Sequence, residues 1–219
     1  MKVGTDGVLL GAWARVPARC GRVLDVGTGT GLIALMMAQR CPDAMITGID
    51  IEPSAAGRAA QNAAQCPWPE RLDVLQADAL AYVPSQRFDA VVCNPPFFKG
   101  QLCSPDLARA TARHTASLPH ERLLARAAES WLTDGGLLSV VIPAETSDDF
   151  IAVAWEKGLN LYDRCMVHTR PGLPPKRALL CLCKGSCPYP PTSYLCVHDE
   201  EGNYTDEYVT LTRAFYLHF

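Results

Sequence analysis

Apolar and polar positions alternate along this chain in an order that predicts an α/β fold. Short runs of valine, leucine and isoleucine are separated by longer segments in which apolar residues recur at helical spacing. That order is typical of parallel strands joined by helices that cover both faces of a sheet. The pattern predicts strands from Arg22 to Val26, Ala44 to Asp50, Arg71 to Gln76, Phe88 to Cys93, Leu137 to Ile142, Leu159 to His168 and Arg177 to Cys183.

The predicted helices lie between these runs and at both ends of the chain. The first falls within residues 1–16, and Thr5 or Asp6 is its expected N-terminal cap. The others run from Leu32 to Arg40, Pro53 to Gln65, Pro119 to Leu132 and Glu145 to Lys157, and through the segment TDEYVTLTRAFYL near the end.

Composition narrows the class of protein. A chain of 219 residues with 48% hydrophobic content can bury a substantial core, and one domain is the default. The formal net charge of −3 excludes a generally basic nucleic-acid coat, so any RNA contact must come from a local basic patch. No apolar run approaches the length needed to span a bilayer, and we expect a cytoplasmic protein.

Most of the ten cysteines lie singly within apolar runs. Cys181, Cys183 and Cys187 form the one cluster, but a zinc site would need a second ligand pair at standard spacing. The sequence therefore favours reduced cysteines packed in the core, and no metal.

A glycine-rich turn follows the first predicted strand. Gly27, Gly29 and Gly31 separate that strand from a helix, so the backbone can pass close to a ligand and the helix N-terminus offers N–H groups. A dinucleotide fingerprint would place its third glycine at position 32, which is Leu32. With Asp25 two residues before the motif, the pattern favours S-adenosylmethionine over NAD.

Polar residues follow the next predicted strands. Asp50 comes 23 residues after Gly27, where a carboxylate can accept both ribose hydroxyls of an adenosine. Asp78 and Ala79 can bond an adenine through a side-chain acceptor and a backbone N–H. Asn94 ends the fourth strand, and ligands bind at this edge of open α/β sheets, so we expect one shared site. Each aspartate taken singly also fits a solvated strand end.

The fourth strand stops at Asn94-Pro95-Pro96-Phe97. A residue before proline is extended, so this turn presents the Asn94 amide and the Pro95 carbonyl with few competing donors. Acceptors aimed at both hydrogens of an aromatic amine would let its nitrogen pyramidalise toward an electrophile, while Phe97 stacks on the base. A proline-rich loop after a core strand is the alternative.

The stretch from Lys99 to His120 is long for a connection and rich in cations. Contacts to RNA phosphates and a solvated basic face both fit its charges. The candidate RNA contacts are Lys99, Arg109, Arg113, His114 and Arg122.

These motifs resemble the class I methyltransferases that alkylate nucleobase amines. Within them, the chain is similar to the bacterial family that methylates N6 of the adenine beside the anticodon of valine tRNA. KVGTDGVLLGAW resembles the family's head motif, LDVGTGTGLIALMMAQR its cofactor loop, NPPFF its catalytic turn and YTDEYVTLTRAFYLHF its tail. The resemblance implies an α/β, three-layer Rossmann-like class I methyltransferase fold, with a seven-stranded, mostly parallel sheet whose last strand is antiparallel.

It also implies S-adenosylmethionine as cofactor, tRNA as substrate and a monomer of one domain. That domain would comprise a head helix (1–16), a core (17–185) and a C-terminal strand and helix extension (186–219). Family members usually carry a further segment before the head motif, so the recorded start is expected to lie inside a longer chain.

The family's roles fall on matching positions. The expected catalytic residues are Asn94, Pro95, Pro96 and Phe97. Expected cofactor contacts are Thr5 and Asp6 near the methionine end, Asp25, Gly27, Thr28, Gly29 and Gly31 in the turn, Asp50 and Ile51 at the ribose, Asp78 and Ala79 at the adenine, and Asn94.

Three other functions stay open at this point. Many adenine-N6 enzymes have tyrosine where this chain has Phe97, and NPPF also occurs in enzymes that methylate guanine N2 in ribosomal RNA. Protein-glutamine N5 methylation poses the same lone-pair problem. A non-catalytic RNA-binding module with this fold would have no need of Gly27, Asp50 or Asn94, which are all present.

Overall fold

The computed structural model describes residues 4–95, 120–188 and 192–216. Its strands are β1 (Arg22–Val26), β2 (Met45–Asp50), β3 (Leu72–Gln76), β4 (Phe88–Cys93), β5 (Leu132–Pro143), β6 (Leu159–His168), β7 (Arg177–Lys184) and β8 (Thr192–Cys196). They form one sheet in the order β3-β2-β1-β4-β5-β7-β6-β8.

The described α-helices are α1 (Thr5–Trp13), α2 (Leu32–Arg40), α3 (Pro53–Ala64), α4 (His120–Arg126), α5 (Ser147–Glu156) and α6 (Asp206–Thr212). Several bounds differ from the sequence prediction: α6 ends at Thr212, α5 begins at Ser147, and β5 begins at Leu132. Two further differences concern α1 and α4. The N-cap of α1 is Gly4 rather than Thr5 or Asp6, which lie in the first turn. The helix predicted from Pro119 to Leu132 closes with a π turn over Ala127–Trp131, because the chain turns directly into β5.

The strand directions confirm the predicted fold class. Strands β1 to β5 pair in parallel, whereas β7 runs antiparallel to both β5 and β6. The sheet has eight strands instead of seven, because the short segment Thr192–Cys196 adds in parallel to the outer side of β6. The antiparallel pairing sets Arg177, at the start of β7, opposite Pro143, at the end of β5.

Along the inner strands of the sheet, side chains enter two buried cores, one on each face. On β1, for example, Val23 belongs to one core and Leu24 to the other. The first core also takes Trp13 of α1, Met37 of α2 and Tyr208 of α6. The second is built on the aromatic and apolar side chains that α4, the π turn and α5 direct at the sheet. Two helical layers therefore enclose the sheet.

The cysteines in β7 are part of the first core. Cys181 and Cys183 are both buried there, as the sequence predicted. Across the described ranges, no cluster of three or more histidine, cysteine, aspartate or glutamate side chains is placed to hold a metal ion. None of the helices in these ranges is long and apolar enough to cross a membrane.

Candidate active site

Three predicted polar positions lie at one edge of the sheet. Strands β3, β2, β1 and β4 are neighbours and parallel, so their carboxyl ends come together. Asp50 ends β2, Asp78 follows β3 and Asn94 follows β4. We call this side of the sheet the carboxyl edge; the amino ends of the same strands form the amino edge.

The glycine turn after β1 depends on backbone conformations that favour glycine. Gly27, Gly29 and Gly31 have φ angles of 69°, 60° and 85°. A Cβ built on Gly27 would meet nothing within 4 Å, so only the φ angle selects glycine there and the space beside it is open. At Gly31, a Cβ would approach the Ala59 Cβ to 3.3 Å, so this glycine also lets α3 pack closely.

Asp25 holds this turn from beneath. Its fully buried side chain accepts hydrogen bonds at Oδ2 from Thr28 Oγ1 (2.6 Å) and from Ala34 N in the first turn of α2 (3.0 Å). Its other oxygen, Oδ1, is buried and accepts no hydrogen bond from the described residues. Burial raises the pKa of the Asp25 carboxyl to about 6, against the lowering effect of these two hydrogen bonds.

Asp50 ties the glycine turn to the end of β2. Its Oδ2 accepts from Gly29 N at 2.8 Å, and its Oδ1 accepts from Glu52 N at 2.9 Å. The side chain is half-buried, and a carboxylate has about four lone-pair sites, so both oxygens can accept further hydrogen bonds. The neighbouring Ile51 is 48% exposed, so an apolar surface flanks this carboxylate.

Asp78 begins a compact turn after β3. Its exposed side chain accepts from Leu80 N at 2.9 Å, and its carbonyl accepts from Ala81 N and Tyr82 N. Ala79 is half-buried beside it. The hydrogen bond from Leu80 N uses only part of the acceptor capacity of this carboxylate. The exposed Asp78 side chain can therefore accept further hydrogen bonds at the carboxyl edge.

The proposed catalytic turn begins where β4 ends. Asn94 is half-buried and Pro95 is buried, directly after the fully buried Cys93. The predicted residues Pro96, Phe97, Lys99, Arg109, Arg113 and His114 lie outside the described residues. Arg122, the remaining predicted RNA contact, is exposed in the first turns of α4.

An ion pair that the sequence did not predict joins the head helix, α1, to the carboxyl edge. Asp6 Oδ2 accepts from Arg177 Nε at 2.9 Å, with about a quarter to a third of each side chain exposed. The sequence predicted that β7 is antiparallel, and the first residue of an antiparallel strand lies at the edge where its parallel neighbours end. That signal could have placed Arg177 at the carboxyl edge. Its partner, 171 residues earlier in the chain, follows only from the packing of α1.

The chain just after this helix is fixed to β5 and β6. Arg15 donates through its backbone N–H to Ser139 Oγ (3.1 Å) and through Nε to Asp163 (2.7 Å). Contacts at both ends therefore set the position of the head helix, which places exposed Thr5 and half-buried Asp6 at the carboxyl edge.

Comparison with known proteins identifies the family. The methyltransferase small domain family matches residues 8–151. A Vibrio campbellii protein named tRNA1(Val) (adenine(37)-N6)-methyltransferase is 44% identical over 218 residues, covering 99% of this chain and 89% of that protein. A Bacteroides fragilis protein of the same name is 43% identical and covers 99% of this chain and 91% of its own length.

Solved structures support the fold. The Agrobacterium tumefaciens protein Atu636, described as a predicted O-methyltransferase, superposes with a TM-score of 0.72 at 23% identity, over 95% of this chain and 96% of its own. The glycopeptide N-methyltransferase MtfA, solved with S-adenosylmethionine, gives a TM-score of 0.59 at 14% identity, over 84% and 90%.

The sheet order, the three-glycine turn and the sequence matches over nearly the full length agree with one another. The chain belongs to the methyltransferase small domain family and, within it, to the family of tRNA1(Val) (adenine(37)-N6)-methyltransferases.

Proposed function

We propose that this protein transfers a methyl group from S-adenosylmethionine to N6 of the adenine beside the anticodon of valine tRNA. One observation carries the proposal: a glycine turn, Asp50, Asp78 and Asn94 meet at the carboxyl edge. They do so in a chain 43–44% identical to enzymes named for that reaction.

The residues at this edge fit the cofactor. Open space beside Gly27 admits a ligand against the backbone, and the Asp25 Oδ1 atom is a buried acceptor facing no described donor. Asp50 would accept the ribose hydroxyls, while Asp78 and Ala79 would bond the adenine. When bound, S-adenosylmethionine supplies a methyl group made electrophilic by a positively charged sulfur.

Asn94 and Pro95 would prepare the nucleophile. An amine conjugated to an adenine ring is weakly nucleophilic because its lone pair is delocalised. The Asn94 side-chain oxygen and the Pro95 carbonyl would accept its two hydrogens and hold the lone pair toward the electrophilic methyl group. Pro96 would fix the turn, and Phe97 would stack on the base.

The remaining roles complete the site. Thr5 and Asp6 would lie at the methionine end of the cofactor, with Arg177 holding Asp6 in place. Lys99, Arg109, Arg113, His114 and Arg122 would contact RNA phosphates. Extruding a base costs a few kcal/mol, and less from an anticodon loop than from a duplex. We also propose that the enzyme works as a monomer in the cytoplasm, where its substrate is found.

The experiment is a methyl-transfer assay with three acceptors. The protein is incubated with radiolabelled S-adenosylmethionine and unmodified valine tRNA, ribosomal RNA or a protein extract freed of nucleic acid. The proposal requires label in the tRNA, recovered as N6-methyladenosine. N2-methylguanosine in ribosomal RNA or N5-methylglutamine in protein would favour one of the two rival enzymes. RNA binding with no product in any acceptor would favour the non-catalytic module.

A further inference from the structure

A pair of cysteines faces a cavity at the amino edge, away from the proposed active site. Cys20 lies just before β1, and Cys41 is the C-cap residue of α2, shortly before β2. Both line a cavity of about 640 Å³, together with Arg19, Arg40 and Asp89. The Met45 N–H donates to the Gly21 carbonyl at 2.9 Å, which holds the two segments side by side.

The two thiols interact, and the charges around them differ. Hydrogen bonding with Cys20 is the largest cause that lowers the pKa of the Cys41 thiol, to about 7, and the nearby Arg40 and Arg71 guanidinium groups lower it further. The pKa of the Cys20 thiol is raised, chiefly by the same hydrogen bond and by burial, and also by the charge of Asp89. Cys41 is therefore the sulfur of the pair that loses its proton more readily, and Arg71, which donates from Nη1 to the Cys41 carbonyl at 3.0 Å, places a cation beside it.

A second cysteine pair supplies the contrast. Cys183 and Cys187 also interact, yet burial is the largest cause that raises the pKa of both thiols. No arginine or lysine is among the causes of either shift. Cys183 and Cys187 thus lie close together without the arginines that lower the pKa of Cys41.

We propose that Cys41 and Cys20 form an oxidation site that takes a peroxide, with Cys41 as the attacking sulfur and Cys20 as the resolving sulfur. The small peroxide reaches Cys41 through the cavity that both residues line. Neither cysteine belongs to the methyl-transfer site, so the inference is independent of the proposed function.

The chemistry needs only the peroxide. The Cys41 thiolate attacks one oxygen, an S–O bond forms, the O–O bond breaks and hydroxide leaves, taking a proton to become water. The Cys20 sulfur then attacks the Cys41 sulfur, the S–S bond forms and the S–O bond breaks. The Cys20 proton leaves with the departing hydroxide as a second water. The two thiols lose two electrons, and one hydrogen peroxide is reduced to two waters.

The test is peptide mass spectrometry of the full chain after treatment with hydrogen peroxide. The expected product is a peptide pair cross-linked through Cys20 and Cys41. In Cys20→Ser, which lacks the resolving thiol, dimedone should trap a sulfenic acid on Cys41. Because thiolate fraction controls the rate, Cys41 should be modified about tenfold or more faster than Cys183 or Cys187 in the same sample.

Two further measurements guard against a misfolded variant. Thermal unfolding should show that Cys20→Ser and the matched control Cys187→Ser melt cooperatively. In the unsubstituted protein, the rate of Cys41 alkylation by iodoacetamide should rise through a midpoint near pH 7. The proposal is wrong if the cross-link is absent, if it forms as readily between Cys183 and Cys187, or if alkylation of Cys41 shows no midpoint near neutral pH.

Discussion

The two ends of α2 lie at opposite edges of the sheet. A carboxylate accepts a hydrogen bond at the first end, and an arginine donates hydrogen bonds at the other. At the carboxyl edge, Asp25 accepts from Ala34 N in the first turn and keeps its second oxygen unengaged by the described residues. At the amino edge, Arg71 donates to the carbonyls of Ala38, Cys41 and Ala44, at 2.9 to 3.2 Å. An acid at the helix N-terminus and a base at its C-terminus both suit the helix dipole.

The two edges differ in how many of their hydrogen-bonding groups already have partners within the described residues. Arginine donors satisfy the carbonyls at the amino edge, including those of Gly11 and Ala14, which accept from Arg40 at 2.7 and 2.8 Å. At the carboxyl edge, positive-φ glycines open the backbone, and Asp25 and Asp50 keep acceptor capacity. The same helix is therefore anchored at its C-terminus, while acceptors beside its N-terminus stay available for the ligand that we propose there.

The largest effect should come from the carboxyl edge. Asn94→Ala removes an acceptor for the target amine, and we expect turnover to fall by roughly a thousandfold, in line with the loss of a key transition-state hydrogen bond. Cofactor affinity should stay nearly unchanged, because Asp50 and the glycine turn are intact. Single-turnover methylation and calorimetry measure the two quantities separately. An equal loss of both would refute the role assigned to Asn94.

The next effect separates cofactor binding from chemistry. Asp50→Ala removes the carboxylate that holds Gly29 N and is proposed to bind the ribose. Cofactor affinity should fall by about 10- to 100-fold, the range expected for hydrogen bonds to a charged group. Asp43→Ala is the matched control, an exposed aspartate at the amino edge. If calorimetry gives both variants the same affinity, Asp50 does not bind the cofactor.

Asp25 should make stability depend on pH. Its folded pKa of about 6 lies above that of an unfolded aspartate, so the folded state holds the proton more tightly. The stability contributed by the protonated form is therefore present below about pH 4 and lost as pH rises to about 6, by roughly 2–3 kcal/mol. Asp25→Asn should remove this loss. Urea unfolding of both proteins across that pH range measures the free energy of unfolding. If its dependence on pH were the same in both proteins, Asp25 would not be the group responsible.

The smallest effect belongs to the amino edge. Arg71→Met keeps an unbranched apolar stem but leaves three carbonyls without the guanidinium donors, and we expect the free energy of unfolding to fall by about 1–3 kcal/mol. Arg71→Lys should recover part of that loss. Cofactor affinity should not change in either variant. A fall in affinity larger than the fall in stability would mean that the two edges are not independent.

Much of this comparison could be predicted from local sequence. β-branched and leucine runs marked β1 and β4 to the residue, and the GxGxG spacing placed Gly27, Gly29 and Gly31, whose φ angles are positive. Local signals suffice there because strand composition and glycine conformation act within a few residues.

The rest depends on contacts between distant parts of the chain. The Asp6–Arg177 pair joins the first helix to β7, and no local pattern encodes it. A strand was expected within the extension 186–219, but the bounds of β8 and its place in the sheet were not, because a five-residue segment with the polar residues Thr192 and Ser193 becomes a strand only beside β6. The cationic setting of Cys41 likewise needs Arg71, which packing brings to the end of α2.

The central claim is that this protein methylates N6 of one adenine in valine tRNA, at a site on the carboxyl edge. The most direct measurement is nucleoside mass spectrometry of two valine tRNA transcripts incubated with the protein and S-adenosylmethionine. One transcript has the natural adenine beside the anticodon, and the other has guanine there. The account predicts N6-methyladenosine from the first and no product from the second. Equal methylation of both, or N2-methylguanosine from the second, would contradict it.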